Sequence, residues 1–348
     1  MVKQNTDIFQ IMDNFSENTA IVSIPIIKAR LDYIPKVTIA IPTYKRSKLL
    51  KEALDSALHQ IEHSDFEVIV VDNNPNRDCE TERLLNTYSD QRLSYYKNTE
   101  NIGMFGNWNR CIELSCGEYL TILNDDDILS KEYLKSVNEI LSQNKKIDAI
   151  LVAFQFIDSN GKIMYEENNS NSKINRIYPL ALLFGNINPG SLGILFLKSN
   201  LTNMGGYNKE YYPSSDYMFL VLYLANFENV FYLNKVLTNY RIAVNESNNI
   251  STLQGFIEVD KKIRKHFIVL YPKLKKLIEL SMPIIEFKQL KGQCGVSEEF
   301  NEINSSKLKT QKNKINFKNK IAYELIIKIS RLLKLHKLLS KTFHYIIK

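Results

Sequence analysis

The chain has 348 residues, of which 44% are hydrophobic and 24% are charged. This length permits one large domain with an appendage, and the composition excludes a disordered or fibrous protein. The four cysteines form no C-x-x-C pair and no disulfide-like framework. Because the N-terminus has no signal-peptide pattern and no apolar run reaches about 18 residues, we expect a cytoplasmic protein without transmembrane helices.

The net charge of +7 is distributed unevenly along the chain. Residues 255–348 contain 21 Lys and Arg against 8 Asp and Glu, so this segment carries +13 and residues 1–254 carry −6. Nucleic-acid-binding domains are usually basic, so the acidic body of the protein disfavours a nucleic acid as its partner.

Strand and helix patterns alternate through the first half of the chain, after an extension at residues 1–35 that we expect to pack on the core. Apolar, β-branched runs predict buried strands, and apolar residues at helical spacing predict the helices between them. The predicted strands lie at 37–42, 66–72, 93–96, 119–123 and 148–158. The predicted helices lie at 47–58, 80–88, 107–115 and 218–225. This alternation predicts a parallel α/β sheet with right-handed crossovers.

Polar side chains follow three of the predicted strands, at their carboxyl ends. Thr43 and Arg46 follow the first strand, Asp72 follows the second, and Asp125–Asp127 follow the fourth. Ligands bind along this edge of parallel sheets, so we expect these residues to line one pocket. The first strand is not followed by G-x-G-x-x-G, which disfavours a Rossmann dehydrogenase.

The run Asn124-Asp125-Asp126-Asp127 places three carboxylates at the end of a buried strand. Neighbouring carboxylates repel one another and lose hydration there, so the cluster is costly unless a cation or a charged ligand neutralises it. Such oxygen donors suit Mg²⁺ or Mn²⁺, especially a metal that is also held by substrate phosphates. The alternative is a solvated turn in which Asp127 caps the following helix.

Five motifs in order resemble those of family 2 glycosyltransferases with the GT-A fold, of the bacterial surface-polysaccharide (O-antigen or capsule) type. The motifs are T-I-A-I-P-T-Y-K-R at 38–46, V-I-V-V-D-N at 68–73, N-I-G at 101–103, G-E-Y at 117–119 and L-N-D-D-D at 123–127. The resemblance covers about residues 36–249. It implies a Rossmann-like, mostly parallel sheet flanked by helices. The implied domain at 36–250 has a nucleotide-binding half at 36–128 and an acceptor half at 129–250, followed by a basic helical region at 251–348.

The resemblance also implies roles for individual residues. Asp126 and Asp127 would be the metal ligands, although Asn124 stands where the family commonly has Asp. For Arg110, a surface position on its helix is an equal alternative. The residues that would bind the nucleotide sugar are Pro42, Thr43, Arg46, Asp72, Asn101, Arg110, Asp125 and Arg241.

Asp216 precedes an apolar helix where the family usually has Glu-Asp, and Ser215 stands in place of the Glu. The resemblance implies that Asp216 is the general base. An inverting transferase needs a base on the acceptor hydroxyl, opposite the leaving diphosphate. The alternative is that Asp216 is a helix N-cap.

The basic tail shows helical patterns at 258–280 and 321–347, which are joined by a polar connecting region at 298–319. In the second helix Lys334, Lys337, Lys341 and Lys348 follow one face, and apolar residues follow another. A basic amphipathic helix can lie on an anionic membrane surface. The alternative is a helix that packs on the catalytic domain.

We therefore expect an inverting, metal-dependent hexosyltransferase that uses Mn²⁺ or Mg²⁺ and a UDP-linked donor. The expected acceptor is a glycan on a lipid diphosphate, at the inner face of the plasma membrane. A processive synthase is disfavoured, because the chain has no transmembrane helix and no Q-x-x-R-W motif. The remaining alternative is a non-catalytic peripheral membrane binding protein with a degenerate nucleotide-sugar site.

Overall fold

The computed structural model describes residues 11–62, 64–143, 146–164, 173–242 and 249–332. Ten strands in these ranges form one sheet, in the order β1-β4-β3-β2-β5-β9-β7-β10-β6, with β8 paired to β10. The strands are β1 Ser23–Ile27, β2 Val37–Thr43, β3 Phe66–Asp72, β4 Leu93–Asn98, β5 Tyr119–Ile122, β6 Ile128–Leu129, β7 Ala149–Ile157, β8 Ile174–Arg176, β9 Leu195–Leu197 and β10 Val230–Arg241.

The four strands β4, β3, β2 and β5 pair in parallel, and so do β7 and β10. The antiparallel strand β9 joins these two groups, and β1 from the N-terminal extension adds an antiparallel edge beside β4. Every residue of β2 and β3 is buried, as expected for parallel strands that are covered on both faces. The predicted strands at 37–42, 66–72, 93–96 and 119–123 are all present.

The helices in the described ranges cover both faces of the sheet. Ile39 and Ile41 of β2 face a core with α1 and α4, whereas Ala40 faces a core with α3 and α6. This alternation follows from the two-residue period of a strand. The helices are α1 Ser47–Leu58, α2 Glu80–Leu85, α3 Gly103–Leu114, α4 Tyr133–Gln143, α5 Lys198–Asn203, α6 Ser215–Asn226, α7 Ile250–Leu270, α8 Lys275–Val296, α9 Glu298–Lys314 and α10 Phe317–Leu332.

Two predictions for the tail are wrong. The single helix at 258–280 is interrupted by a 3₁₀ turn at Pro272–Leu274, because proline has no N–H to continue the helix. The polar segment at 298–319, predicted as a connecting region, is mainly α9. The Ser297 side chain accepts from the N–H of Phe300 at 3.2 Å, and acidic residues at the start and lysines at the end complement the helix dipole.

The C-terminal helices pack on the α/β domain. Ile263 of α7, Ile285 of α8 and Ile326 of α10 lie in the same core as α3 and α6. The packing alternative for the tail is therefore observed as far as Leu332, while the basic face from Lys334 to Lys348 lies outside the described residues. Among the described helices, none combines the length and apolar character that crossing a bilayer requires.

Candidate active site

The carboxyl ends of β2 and β5 are joined by their polar side chains. Oγ1 of Thr43 donates to Oδ2 of Asp125 at 2.7 Å, and both residues are buried. The backbone N–H of Asn73, after β3, donates to the carbonyl of Thr43 at 2.9 Å. Three strand ends predicted to line one pocket therefore do meet at one edge of the sheet, with Pro42 buried in β2 beneath them.

Arg46, in the loop before α1, pairs with the acidic strand end. Its Nη1 donates to Oδ2 of Asp126 at 2.8 Å and lies 3.5 Å from Oδ1 of Asp125. The Arg46 side chain is 31% exposed, whereas both carboxylates are nearly enclosed. The Arg46 guanidinium thus lies between the carboxylates and solvent.

Burial shapes the electrostatics of this cluster. Burial, with the nearby charge of Asp126, raises the pKa of Asp125 to about 6. Burial also raises the pKa of Asp126, although Arg46 opposes this shift. Burial and the Asp126 charge raise the pKa of Asp127 well above its ordinary value. Three charged carboxylates are therefore costly here, and a bound cation would offset that cost.

Asp127 is the most enclosed of the three carboxylates. Its Oδ1 accepts from the backbone N–H of Arg241 at 2.9 Å, and its Oδ2 accepts from Nδ2 of Asn124 at 2.8 Å. Both oxygens thus hold protein groups, which leaves the prediction of Asp127 as a metal ligand without support from the geometry. The alternative that Asp127 caps the next helix is wrong, because α4 begins only at Tyr133.

The donor set at this edge fits a divalent cation only if a substrate contributes ligands. In the described ranges, no group of three or more His, Cys, Asp or Glu side chains is suited to holding a metal ion. Asp126, with Asp125 beside it, offers carboxylate oxygens of the kind that bind Mg²⁺ or Mn²⁺ together with phosphates. The residues therefore fit a metal that binds with a diphosphate.

Asp72 ends β3 as predicted, but its carboxylate is fully buried. Its Oδ2 accepts from Nζ of Lys97 at 2.9 Å and from the hydroxyl of Tyr95 at 2.9 Å, and its Oδ1 accepts from the N–H of Asn74 at 2.9 Å. Lys97 also donates to the carbonyls of Asn74 and Asn76. In this arrangement Asp72 fixes the loop after β3, and its contact with a nucleotide stays a prediction.

Asn101 belongs to a ladder of asparagine side chains above β3 and β4. Nδ2 of Asn73 donates to Oδ1 of Asn101 at 2.7 Å, and Nδ2 of Asn98 donates to Oδ1 of Asn73 at 3.0 Å and to Oδ1 of Asn107 at 2.9 Å. Lys97 and Asn98 were missed by sequence reasoning. Their position at the carboxyl end of a predicted strand, like that of Asp72, was the signal that could have found them.

Arg110 is buried on α3 and fastens the N-terminal extension. Its guanidinium donates to the carbonyl of Asn18 at 2.9 Å, to the hydroxyl of Ser23 and to Oε2 of Glu113 at 2.8 Å. The alternative of a surface position is wrong, since the side chain is enclosed. Its prediction as a nucleotide-sugar contact finds no support in these partners.

Arg241, at the end of β10, is also fully enclosed. Its Nε donates to the carbonyl of Asp126 at 2.8 Å, its Nη1 donates to the carbonyl of Ser159 at 2.9 Å, and its Nη2 pairs with Oε2 of Glu52 at 2.6 Å. The guanidinium thus holds the backbone of the acidic strand end through the carbonyl of Asp126. A direct diphosphate contact by Arg241 stays a prediction.

Asp216 is the second residue of α6, with Ser214 at the N-cap position, so the interpretation of Asp216 as an N-cap is wrong. Its side chain accepts from Nδ2 of Asn186 at 2.7 Å and from the backbone N–H of Gly190 at 2.9 Å, both at Oδ2. Burial raises the pKa of Asp216 to about 6, even though backbone N–H groups oppose the shift. A carboxylate with this pKa can take a proton near neutral pH.

The segment around Gly190 joins Asp216 to the acidic strand end. Gly190 has φ +61°, and a Cβ at this position would lie 2.8 Å from Nδ2 of Asn124. Nearby Asn188 is 1% exposed, and neither the nitrogen nor the oxygen of its side-chain amide has a hydrogen-bond partner among the described residues. Sequence reasoning did not identify Asn186 or Asn188 as polar groups of the site.

Comparison with known proteins shows which family this chain resembles. Residues 38–202 match the family described as Glycosyl transferase family 2. An uncharacterized glycosyltransferase of Methanocaldococcus jannaschii is 28% identical over 244 residues, which are 67% of this chain and 82% of the relative. The Campylobacter jejuni GalNAc(5)-diNAcBac-PP-undecaprenol beta-1,3-glucosyltransferase is 26% identical over 263 residues, which are 75% of this chain and 80% of the relative.

Solved structures agree on the fold. S. aureus TarS 1-349 superposes with a TM-score of 0.52 at 16% identity, over 85% of this chain and 91% of TarS. The same protein in complex with UDP-GlcNAc gives a TM-score of 0.53 at 16% identity, over 85% of this chain and 92% of TarS. The predicted GT-A fold is confirmed, and the predicted resemblance to glycosyl transferase family 2 is confirmed over residues 38–202.

Proposed function

We propose that this protein is an inverting, metal-dependent glycosyltransferase that moves a hexose from a UDP-linked donor to a lipid-linked glycan. The carrying observation is the buried carboxylate of Asp216, whose pKa is raised to about 6 and which Gly190 connects to the acidic strand end. A base on one side of a site and a cation-binding cluster on the other are the two parts that in-line displacement requires.

The donor would bind along the edge formed by β2, β3 and β5. Thr43 and Asp125 would face the ribose, and the partly exposed Arg46 would face the diphosphate and share its charge with Asp126. A divalent cation on Asp126 would stabilise the negative charge of the departing diphosphate. TarS, which shares the fold, has been solved with UDP-GlcNAc and with UDP, and this supports a UDP-linked donor.

The acceptor would approach from the side of Asp216. There the carboxylate would take the proton of the attacking hydroxyl while Asn186 and the Gly190 N–H hold its orientation. The C. jejuni relative is named for a glycan on undecaprenyl diphosphate, and this supports a lipid-linked acceptor. Asp72, Asn101, Arg110 and Arg241 would act by holding the loops that shape the donor pocket.

A lipid-linked acceptor implies work at a membrane surface, and α10 offers a suitable face. Phe317, Ile321 and Leu325 lie four residues apart on one side of the helix and are 76%, 45% and 44% exposed. The exposed side chains of Lys318, Lys320 and Lys328 lie on the same helix, within a tail of net charge +13. We propose that this stripe contacts an anionic lipid surface, with apolar side chains inserted and lysines on the headgroups.

The test of the donor is calorimetric titration of UDP into the full chain, first with Mn²⁺ and then with EDTA. We expect binding that requires the metal, followed by UDP release from one of UDP-glucose, UDP-galactose or UDP-GlcNAc when undecaprenyl-diphosphate-linked acceptors are supplied. Binding that ignores the metal would remove the role given to Asp126, and no binding in either condition would overturn the UDP donor.

Asp216→Asn separates an enzyme from a binding protein. We expect the variant to bind UDP and Mn²⁺ as the wild type does but to transfer sugar at least about 1,000-fold more slowly, because the base is removed. Glu210→Gln, at an exposed acid six residues earlier, is the matched control and should be fully active. Undiminished transfer by Asp216→Asn would contradict the assignment of the base.

A further inference from the structure

A buried polar cluster ties the start of α6 to the C-terminal helices. Oγ of Ser214 donates to Oδ1 of Asp260 on α7 at 2.5 Å, and Nε2 of Gln289 on α8 donates to Oδ2 of Asp260 at 2.8 Å. The Arg264 guanidinium lies 3.7 Å from the same carboxylate and donates to Oε1 of Gln289 at 2.6 Å. Asp260 is thus a buried carboxylate that accepts two hydrogen bonds beside a guanidinium, an arrangement that holds the Ser214 hydroxyl firmly.

The backbone of α7 also closely approaches residues 213 and 214, which directly precede α6. Gly255 lies against Pro213, and a Cβ at Gly255 would lie 2.8 Å from Cδ of the proline ring. Asp260 is five residues further along α7 and reaches Ser214, the next residue of the turn. The contacts of Gly255 and Asp260 therefore fix residues 213 and 214 in position and in orientation.

The position of Ser214 affects the position of Asp216, because Ser214 begins the helix that contains Asp216. Its carbonyl accepts from the N–H of Met218 at 2.9 Å, which begins the hydrogen bonding of α6, and its own N–H donates to the carbonyl of Tyr211 at 2.7 Å. Asp216 lies in the first turn of that helix. A rotation of Ser214 would therefore turn the Asp216 carboxylate away from Asn186 and Gly190.

We propose that Asp260 is a positioning residue for the transfer reaction, which fixes the first turn of α6, and with it Asp216, through Ser214. The inference rests on the proposed role of Asp216 and deepens it, because it makes α7 and α8 part of the catalytic unit. Asp260 and Arg264 are buried against the start of α6, which holds the proposed base. Membrane binding by the tail would not require that contact.

The pKa of Asp216 offers a test of this role that does not depend on the rate alone. After burial and the opposing backbone N–H groups, the repulsion from Asp260 contributes to the raised pKa of Asp216. The other titratable or charged groups near this pair are Tyr207, Tyr217 and Arg264. The N–H of Gly190 lowers the pKa of Asp216 by more than the Asp260 charge raises it. If Asp260 holds Asp216 in place, Asp260→Asn should therefore raise the pKa of Asp216, whereas loss of the Asp260 charge alone would lower it.

The experiment is Asp260→Asn in the full chain, with turnover measured from pH 5 to pH 8. We expect kcat to fall about 10- to 100-fold, with the KM for the UDP-sugar within about twofold, because the donor edge is untouched. We also expect the acidic limb of the profile to move to higher pH, because losing the N–H of Gly190 outweighs losing the Asp260 charge. Glu286→Gln, which removes an acid from the same pair of helices, should change neither quantity.

Ser214→Ala keeps the charge and removes only the hydrogen bond, so we expect a lower kcat and an acidic limb that also moves to higher pH. It also provides a test if Asp260→Asn does not fold. The proposal is overturned if Asp260→Asn lowers thermal stability alone, or if Ser214→Ala retains full kcat. Either outcome would leave Asp260 as a group that merely stabilises the packing of α7.

One readout does not depend on turnover. In protein labelled with ¹³C at the aspartate carboxyls, the Asp216 resonance can be assigned by its loss in Asp216→Asn and titrated with pH. Its midpoint should be higher in Asp260→Asn than in the wild type, even if no UDP-sugar serves as donor. A lowered or unchanged midpoint would overturn the positioning role, whereas a failure of transfer with a raised midpoint would overturn only the proposed function.

Discussion

The backbone N–H of Gly190 donates to Oδ2 of Asp216 at 2.9 Å, and the α-carbon of Gly190 faces the Asn124 side chain on its other side. Asn124 in turn donates to Asp127, beside the carboxylates proposed to bind the donor metal. One residue therefore spaces the proposed base from the proposed metal site. The geometry of transfer depends on that spacing, so Gly190 is a sensitive position although it carries no chemistry.

Gly190→Ala should lower kcat at least about tenfold. The new Cβ would lie 2.8 Å from Nδ2 of Asn124, and a side chain at φ +61° adds about 1 kcal/mol of backbone strain. The control is Gly161→Ala at φ +80°, where a Cβ meets nothing closer than 3.8 Å, so it adds strain without the contact. Equal losses of kcat in both variants would show that strain, not displacement of Asn124, is the cause.

Activity should fall as the pH drops through about 6. The ordinary pKa of an aspartate is near 3.8, and burial raises that of Asp216 to about 6. As the pH falls, Asp216 is therefore protonated at a pH about two units higher than an ordinary aspartate would be. Below that midpoint kcat should fall about tenfold per pH unit. UDP binding measured at the same pH values is the control. A profile that stays flat down to pH 5 would contradict Asp216 as the base.

Asp126→Asn should remove the metal dependence of UDP binding. Losing a carboxylate ligand weakens a site for Mn²⁺ or Mg²⁺, so we expect the strengthening of UDP affinity by Mn²⁺ to fall at least about tenfold in calorimetry. Glu80→Gln, an exposed acid that accepts from Ser47 near the start of α1, is the control. Retention of the full Mn²⁺ effect in Asp126→Asn would exclude Asp126 as a ligand.

Asp127→Asn provides the contrast within the same motif. Because both oxygens of Asp127 hold protein groups, its amide variant would set an NH₂ group against a donor, either Asn124 or the Arg241 N–H. We expect a loss of about 1–3 kcal/mol in the free energy of unfolding, with the Mn²⁺ effect on UDP binding retained in the folded fraction. Loss of the Mn²⁺ effect without loss of stability would restore Asp127 as a metal ligand.

Lys97→Met should destabilise the fold strongly. It leaves the fully buried Asp72 carboxylate without its cation, which costs about 3–5 kcal/mol in comparable buried pairs. The measurement is urea denaturation at neutral pH. In the double variant with Asp72→Asn, which removes the unpaired charge, much of the loss should be recovered. A cost below about 1 kcal/mol in Lys97→Met would show that the pair does not hold the loop after β3.

The stripe on α10 should control lipid binding. Replacing Phe317, Ile321 and Leu325 together by Ser should weaken partitioning to phosphatidylglycerol vesicles at least about 100-fold, because each side chain loses its favourable burial in lipid. Ile303→Ser, at an exposed position on α9, is the control. Binding should also weaken with salt. Unchanged binding by the triple variant would contradict the stripe as the contact.

Local patterns were sufficient for the sheet and for the edge that carries the site. A strand such as Phe66–Asp72 is buried on both faces, so its sequence is a continuous apolar run that ends sharply in a polar residue, and the predicted bounds agree with the structure. The start of α3 was less accurate, at Gly103 and not at 107. Residues 104–106 combine apolar side chains with a glycine, and helix boundaries in such a stretch are weakly specified.

The sequence by itself determined the resemblance to family 2 glycosyltransferases, the α/β class, and which residues lie at the carboxyl ends of the strands. These features depend on short-range periodicity and on motifs within a few residues of one another. Only the tertiary structure decided which of those side chains point into the site and which hold the scaffold. Asp72 meets Lys97, Arg110 meets Ser23, and Asp216 meets Gly190 through contacts between distant parts of the chain. Burial and hydrogen-bond partners are set by such contacts, and no local pattern records them.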